Sequence, residues 1–471
     1  MNAGGKGGVV ELLRNAVRPY AWGSRTAIPE LLGAPVPAPH PQAELWLGAH
    51  PADPSVLMHA DGAQTSLLEA LRADPYRHLG PCCAQRWGGQ LPFLLKVLAA
   101  EEPLSLQAHP SAQQAAEGFA REEVRGIPRD APERNYVDPS HKPELICALT
   151  ELQALAGFRD PRRTVELLKA LDVPALAPYR AMLAAEPNAD GLRTLFTTWI
   201  TMPEPAMKAI LPPTLDACVA LLRRNGVCGS LPTPSGDFQI LRADDSRAPR
   251  ESDFRAARES DFRAPRESDF RTECRVILEL AETYPGDVGV LAALLLNHVV
   301  LASGEAMYLP AGNLHTYLRG TGVEISANSD NVLRGGLTSK HIDVPELLRV
   351  LDFSYGVLPV QRGEPVGPHE TAYRTLAEEF QLTRLEWADG ESTPICLRSQ
   401  WPQILLCTQG SAQLQSLDGG SVTVRRGGSV WLAAEDPEVT VCPGPGPVQL
   451  FRALPGLAPL PAHPGPSFGS E

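Results

Sequence analysis

The sequence predicts a mainly β protein with an α-helical insertion: two jelly-roll β-barrel domains plus a helical domain. Three observations carry this. Short apolar runs broken by turn residues recur in the first 159 residues and again from about residue 288, and the 46 prolines and 40 glycines favour short strands and loops. From Asp160 to Leu222 the apolar spacing changes to a helical period with few β-branched clusters. After Val344 a further set of short alternating runs, separated by glycine turns, reads as a second β-domain. At 471 residues the chain is too long for one simple core.

The first region opens with Tyr20-Ala21-Trp22-Gly23 and then Glu44-Leu45-Trp46-Leu47-Gly48-Ala49-His50-Pro51. In the second of these, Glu44, Trp46 and Gly48 share one strand face, and His50 follows at its end. Ser66 to Leu71 suggests a short helix. Two strands occupy residues 91–110, the first an apolar run interrupted only by Lys96. The second, Leu104 to Pro110, alternates, with Ser105, Gln107 and His109 on one face and Leu104, Leu106 and Ala108 on the other. Residues 111–135 are polar, helical in their first part and then loop. In His141-Lys142-Pro143-Glu144, the proline forbids a helix interior and marks an edge strand or a strand start. Lys142 and Glu144 then share a face, as a surface salt bridge or as pocket groups.

Residues 247–271 hold an eight-residue tandem repeat. With prolines in two units and one aromatic per unit, it reads as a disordered or loosely helical insertion. A helix runs from about Thr272 to Thr283, and a strand covers Leu296 to Ala302. Ala306 to Pro310 is another strand, and His315 follows the next turn. Residues 324–343 form a polar, glycine-containing loop with Arg334 between Leu333 and paired glycines. The second β-domain has strands at Gln403–Thr408, Ala412–Ser416, Ser421–Arg425, Ser429–Ala433, Glu438–Cys442 and Val448–Ala453. These carry no histidine or clustered carboxylate, so no chemistry is assigned to that domain.

Composition narrows the function. The balance of 42 Lys+Arg against 55 Asp+Glu gives −13, which argues against general nucleic-acid or anionic-membrane binding. An anionic substrate would need a local basic pocket. The nine cysteines show no CxxC pair, which fits reduced thiols in a cytosolic protein. Met1 to Val10 has no apolar core of signal-peptide length, and the longest uncharged apolar stretch, Val288 to Ala302, is too short to span a bilayer. A soluble, cytoplasmic protein is expected.

Gln107, His109, Glu144 and His315 together would make an N/O site for a borderline divalent metal. With no thiolate, redox-inert zinc suits the set, although iron and manganese stay open on ligand type. Spacing does not establish that His315 converges with the other three.

The segments Tyr20-Ala-Trp-Gly, Glu44-Leu-Trp-Leu-Gly-Ala-His-Pro51, Leu91-Pro-Phe-Leu-Leu-Lys96, Leu104-Ser-Leu-Gln-Ala-His-Pro110 and His141-Lys-Pro-Glu144 resemble the type I mannose-6-phosphate isomerase family. So do Gly304-Glu-Ala-Met, His315-Thr-Tyr-Leu and Ser329-Asp-Asn-Val-Leu-Arg334-Gly-Gly-Leu-Thr338, and all occur in the family's order. The resemblance implies that Gln107, His109, Glu144 and His315 are ligands to one zinc ion and that Arg334 is the catalytic arginine. It implies two cupin-type domains around a helical one. The expected boundaries are 1–159 with 273–350 for the catalytic unit, 160–272 for the helical insertion, 351–456 for the second β-domain and 457–471 for a flexible tail. It also implies aldose–ketose isomerisation of mannose 6-phosphate and fructose 6-phosphate through an enediol(ate), feeding GDP-mannose metabolism. Lys96, Ser105 and Lys142 are candidates for contacts to phosphate or sugar hydroxyls. His50, Glu324 and Asp330 are candidates for the base. A monomer is expected, with a small sugar phosphate as its partner and neither nucleic acid nor membrane. The rival readings are a non-catalytic sugar-phosphate-binding cupin and a metal-dependent cupin oxidoreductase. The repeat has no counterpart in the resemblance.

Overall fold

Alternating and fully apolar runs become strands here because antiparallel neighbours on both sides satisfy their backbones. The structure, a computed structural model, describes residues 10–224, 270–398 and 400–458. The repeat at 247–271 and the tail expected from 457 fall almost wholly outside the described residues. Six candidate site residues, Lys96, Gln107, Glu144, His315, Glu324 and Arg334, lie on strands of an 11-stranded sheet, and His50, Ser105, His109, Lys142 and Asp330 lie on the segments flanking those strands. The spine of the sheet is the long strand His315–Ala327, which pairs antiparallel with Phe93–Ala100 and Glu144–Ala148 through its second half. Its first half pairs with Leu106–Ala108 and Leu152–Phe158. The partner change falls at Gly320, whose φ is +118°; a Cβ there would lie 2.4 Å from the carbonyl oxygen of Glu151. Only glycine lets the two strands approach so closely.

Phe93–Ala100 is buried along its whole length, as an apolar strand with sheet neighbours on both sides should be. The alternation read between residues 104 and 110 survives as the shorter strand Leu106–Ala108. Pro143 does mark a strand start: Glu144–Ala148 begins at the next residue, between Ala306–Leu309 and the spine rather than at an edge.

The helical insertion starts where its sequence caps it. Asp160 accepts from the amide of Arg162 at 2.7 Å with Pro161 in the first turn, and Asn188 caps the helix Ala189–Ile200. Among the described residues, the helices Pro161–Leu171, Ala177–Ala185, Ala189–Ile200, Glu204–Arg224 and Arg271–Thr283 build this layer. Their core, with Leu168, Phe196, Trp199 and Leu280, runs without interruption into Leu106, Ala108, Leu314, Leu333 and Leu337. The apolar face of the Gln107 strand is therefore pressed against the helical layer. Burial of Leu106 alone contributes roughly 1.5–3 kcal/mol.

The second β region forms a four-stranded sheet and supplies six strands of a nine-stranded one, completed by Glu11–Arg14, Val56–Met58 and Gln64–Ser66. The six strands read there from sequence are present within a residue or two. Among the described residues of this stretch five more were not anticipated, Val360–Gln361, Glu364–Gly367, Glu370–Tyr373, Gln381–Trp387 and Ile395–Leu397. Val344–Val350, for which the sequence reading named no element, is a helix, capped by the Asp343 carboxylate on the amide of Glu346 at 3.0 Å. The helix Pro75–Arg86 was also not read from sequence, although Asp74 caps it and Pro75 opens it. The N-terminal strand Glu11–Arg14 pairs with Ser429–Leu432 on one side and Val56–Met58 on the other. Sheet membership thus cuts across the boundary expected for residues 1–159.

Candidate metal centre and substrate site

Gln107 is the central residue of its three-residue strand. It lies opposite His315 on one neighbouring strand and opposite Arg334 on the other. Opposed residues project to the same face, so one amide, one imidazole and one guanidinium stand in a row. His109 belongs to the same face two residues on. Glu144 comes from the strand on the other side of the spine, opposite Ser326.

The Glu144 carboxylate bridges the two imidazoles: Oε1 lies 3.4 Å from His109 Nε2 and Oε2 lies 3.4 Å from His315 Nε2. All three side chains are at most 2% exposed, and their donor atoms lie within 4.8 Å of one another. His109 Nε2, His315 Nε2 and Glu144 Oε2 have no hydrogen-bond partner. Buried polar atoms left in that condition cost roughly 1–3 kcal/mol each. A divalent cation would satisfy all of them, and two imidazoles, a carboxylate and an amide oxygen suit zinc. The other ring nitrogens fix the tautomers. His109 Nδ1 donates to the carbonyl of Asn331 at 2.8 Å and His315 Nδ1 donates to that of Asn313 at 3.0 Å. Both Nε2 lone pairs are thereby aimed inward, as outer hydrogen bonds do for metal-ligating histidines.

Charge agrees with this. Burial pushes the His109 imidazole below its usual range, so it stays neutral. Burial alone would raise the Glu144 carboxyl; with His109 neutral, the Lys142 ammonium beside it is the cation that opposes this and holds the carboxylate below its usual range. A neutral imidazole and an ionised carboxylate are the forms that bind a metal. Lys142 Nζ lies 3.3 Å from Glu144 Oε1 with only 12% of its side chain exposed, so this pair faces the site and is no surface salt bridge.

Behind the ligands lies a second buried cluster. Lys96 Nζ is 3.0 Å from Glu324 Oε2 and 3.9 Å from Glu44 Oε1. Tyr317 donates to Glu324 at 3.1 Å and the Trp46 indole donates to Glu44 at 2.7 Å. Burial first, and the nearby Glu144 and Glu44 carboxylates, push the Glu324 carboxyl up against the opposing pull of Lys96. The structure therefore places Lys96 among carboxylates rather than at an open surface. His50 Nε2 lies 3.2 Å from Asp330 Oδ2, the histidine buried and the aspartate half exposed. Burial would raise the Asp330 carboxyl, but its hydrogen bond to His50 keeps it below the usual range.

Arg334 and Ser105 are half-buried, and among the described residues Arg334 makes no ion pair. The Lys340 ammonium is held below its usual range, chiefly by partial burial and then by the Arg334 charge, so the two cations lie within electrostatic reach of each other. Sequence reasoning missed Lys340. It also missed Asn331, whose fully buried amide accepts from the amide of Val137 at 2.8 Å and donates to the carbonyls of Asp138 and Ser140 at 2.7 and 2.8 Å. Its own carbonyl holds His109, so Asn331 ties the Glu144 approach to the His109 ring. The only trace of this in sequence is its place in the Ser329–Thr338 run.

Comparison with known proteins fits this geometry. A family profile described as phosphomannose isomerase type I, catalytic domain, matches residues 10–161. Mannose-6-phosphate isomerase of Escherichia coli (strain K12) is 35% identical over 439 residues, spanning 92% of this chain and 97% of its own. The enzyme of the same name from Rattus norvegicus is 29% identical over 452 residues, spanning 93% and 96%. The solved structure of mannose 6-phosphate isomerase from Salmonella typhimurium, bound to substrate (fructose 6-phosphate) and zinc, superposes with a TM-score of 0.77 at 33% identity, covering 95% of this chain and all of that one. A structure of mannose 6-phosphate isomerase bound with zinc and yttrium gives a TM-score of 0.76.

Proposed function

The chain belongs to the type I phosphomannose isomerase family, and on that premise we propose that it interconverts D-mannose 6-phosphate and D-fructose 6-phosphate by moving a proton between C1 and C2 through an enediol(ate). The observation that carries this reading is the buried trio His109, Glu144 and His315, whose inward atoms have no protein partner. With Gln107 beside them, these residues would hold zinc. When bound there, the ion supplies Lewis acidity and positive charge near the substrate oxygens.

The chain's own residues do the rest. Arg334, on the face of Gln107 and His315, stabilises the negative charge that develops on the enediolate or holds the phosphate, because its planar fork stays charged. Lys142, Ser105 and Lys340 contact phosphate or sugar hydroxyls. Lys96 keeps the Glu324 carboxylate in place from behind. Proton transfer falls to Glu324 or to the His50–Asp330 pair. Glu324 is poised for it by a raised pKa, and the pair by its exposure. The same reading keeps the catalytic unit within 1–159 and 273–350, apart from the strands that Glu11–Arg14, Val56–Met58 and Gln64–Ser66 lend to the sheet of the second β region, and a cytoplasmic role feeding GDP-mannose metabolism.

The test is a coupled assay of mannose 6-phosphate turnover, with and without chelation, alongside metal analysis. Turnover that needs stoichiometric zinc is expected. Metal-independent turnover refutes the mechanism, and binding without turnover leaves a sugar-phosphate-binding protein. Glu324→Gln and Asp330→Asn, assayed in parallel, identify the base by which one abolishes turnover.

A further inference from the structure

We infer that Asp287, which comes from the junction between the helical layer and the sheet, is a positioning residue for Arg334. The inference rests on the part in turnover proposed above for Arg334. Asp287 follows the Arg271–Thr283 helix across the turn Tyr284-Pro285-Gly286 and precedes the short helix Gly289–Ala293. Its carboxylate does more than cap that helix. Oδ1 accepts from the amides of Gly289 at 2.6 Å and Leu337 at 2.8 Å, and Oδ2 accepts from the amide of Thr338 at 3.2 Å. One buried-side carboxylate thus grips the backbone three and four residues beyond Arg334.

That backbone needs gripping. The register of Leu333–Gly336 against the Gln107 strand slips between Arg334 and Gly336. Gly336 has φ +128° and Leu337 has φ +54°, a left-handed conformation that a branched side chain adopts only at a cost of roughly 1–2 kcal/mol. Gly289 and Gly336 meet back to back. A Cβ on Gly336 would lie 2.5 Å from Gly289 Cα, and a Cβ on Gly289 would lie 2.6 Å from the Leu337 nitrogen. Slips of this kind re-aim the side chain beside them. Here that side chain is Arg334, set between the buried anchors Leu333 and Leu337. Among the described residues no other group accepts from the Leu337 and Thr338 amides, so without the carboxylate only the packing of the Leu337 side chain would oppose relaxation toward regular register. A displacement of about 1 Å at such a group can cost about 10²-fold in rate.

The experiment is a double-mutant cycle in the zinc-loaded full chain, with Asp287→Ala, Arg334→Ala and the double variant assayed for kcat and KM. Amide hydrogen exchange at Leu337 and Thr338 is followed in the same proteins. Asp287→Ala is expected to lower kcat by about 10²-fold with zinc content unchanged, to speed exchange at both amides, and to cause no further loss in the Arg334→Ala background. An additive loss in the double variant, or an unchanged kcat in Asp287→Ala beside an inactive Arg334→Ala, overturns the inference. A fully active Arg334→Ala instead overturns the functional reading of Arg334. Should Asp287→Ala fail to fold, Asp287→Asn decides in the same cycle, since it retains Oδ1 and loses the acceptor for Thr338. A kcat loss that vanishes without Arg334 supports the inference, and its absence overturns it.

Discussion

Replacing Lys96 with methionine keeps the volume of the side chain and removes only its charge. In the native cluster Nζ lies 3.0 Å from one Glu324 oxygen and 3.9 Å from one Glu44 oxygen, with all three residues under 10% exposed. At an effective dielectric of about 20 those separations correspond to attractions of about 5 and about 4 kcal/mol, most of which offsets the desolvation of three charges. Removing the cation leaves two buried carboxylates with only the Tyr317 hydroxyl and the Trp46 indole as donors. The expected net loss is about 3–5 kcal/mol. It should also depend on pH in a definite sense. Glu324 is held above its usual range even with Lys96 present, and without Lys96 it rises further. A carboxyl raised in the folded state binds its proton more tightly there than in the unfolded chain. The penalty is therefore full at high pH and relieved as pH falls. Urea unfolding of the native chain, Lys96→Met and Lys96→Met/Glu324→Gln at about pH 8 and about pH 5.5 measures this. The single variant should lose more at the higher pH, and the double variant should recover much of the loss. A deficit below about 1 kcal/mol, or one indifferent to pH, would refute the reasoning.

His315→Ala should strip the zinc and lower activity by at least about 10²-fold, read by metal analysis beside the coupled assay; full activity sinks the ligand assignment. Gly336→Ala forces a Cβ to within 2.5 Å of Gly289 Cα at a positive φ, and should cost roughly 1–3 kcal/mol in a melting experiment. The His298 imidazole is pushed down to about 4, chiefly by burial, so it is neutral in the fold while the unfolded chain protonates near its usual value. Stability should decline as pH drops from about 6.5 toward about 4, and His298→Leu should flatten that part of the profile of melting temperature against pH. Superimposable profiles would exclude His298 as a contributor.

The ligand set was marked out by the family resemblance, since residue type and strand alternation left the convergence of His315 open; the structure brings the donor atoms of His109, Glu144 and His315 within 4.8 Å of one another. Local period sufficed for the helical insertion and for the six strands near the C-terminus. What escaped has a common cause. Asp287 and Asn331 act through backbone amides and carbonyls far along the chain, and a hydrogen bond to a main-chain group leaves no residue pattern at the other end. The grouping of Lys96 with Glu44, Glu324 and Tyr317 needs the register of three strands, which alternation alone does not supply. Lys340 was passed over because a lysine in a polar loop is ordinarily solvated, and alternation does not bring it within reach of the Arg334 charge. The strands between 364 and 397 are short and carry Pro365 and Gly367 near their turns, which weakened their signal.

The pairing of Glu11–Arg14 with Ser429–Leu432 bears on how the chain is made. A ribosome adding about 5–20 residues per second needs roughly 20–80 s to travel from one partner to the other. Through that interval the first strand has one edge open, and the metal-binding half must mature beside an unfinished neighbour. Such distant pairing is slow to form and exposes strand edges to the wrong partners. Ser429–Leu432 thus closes a strand made far earlier in synthesis, so Glu11–Arg14 waits on a distant segment before both of its edges are paired.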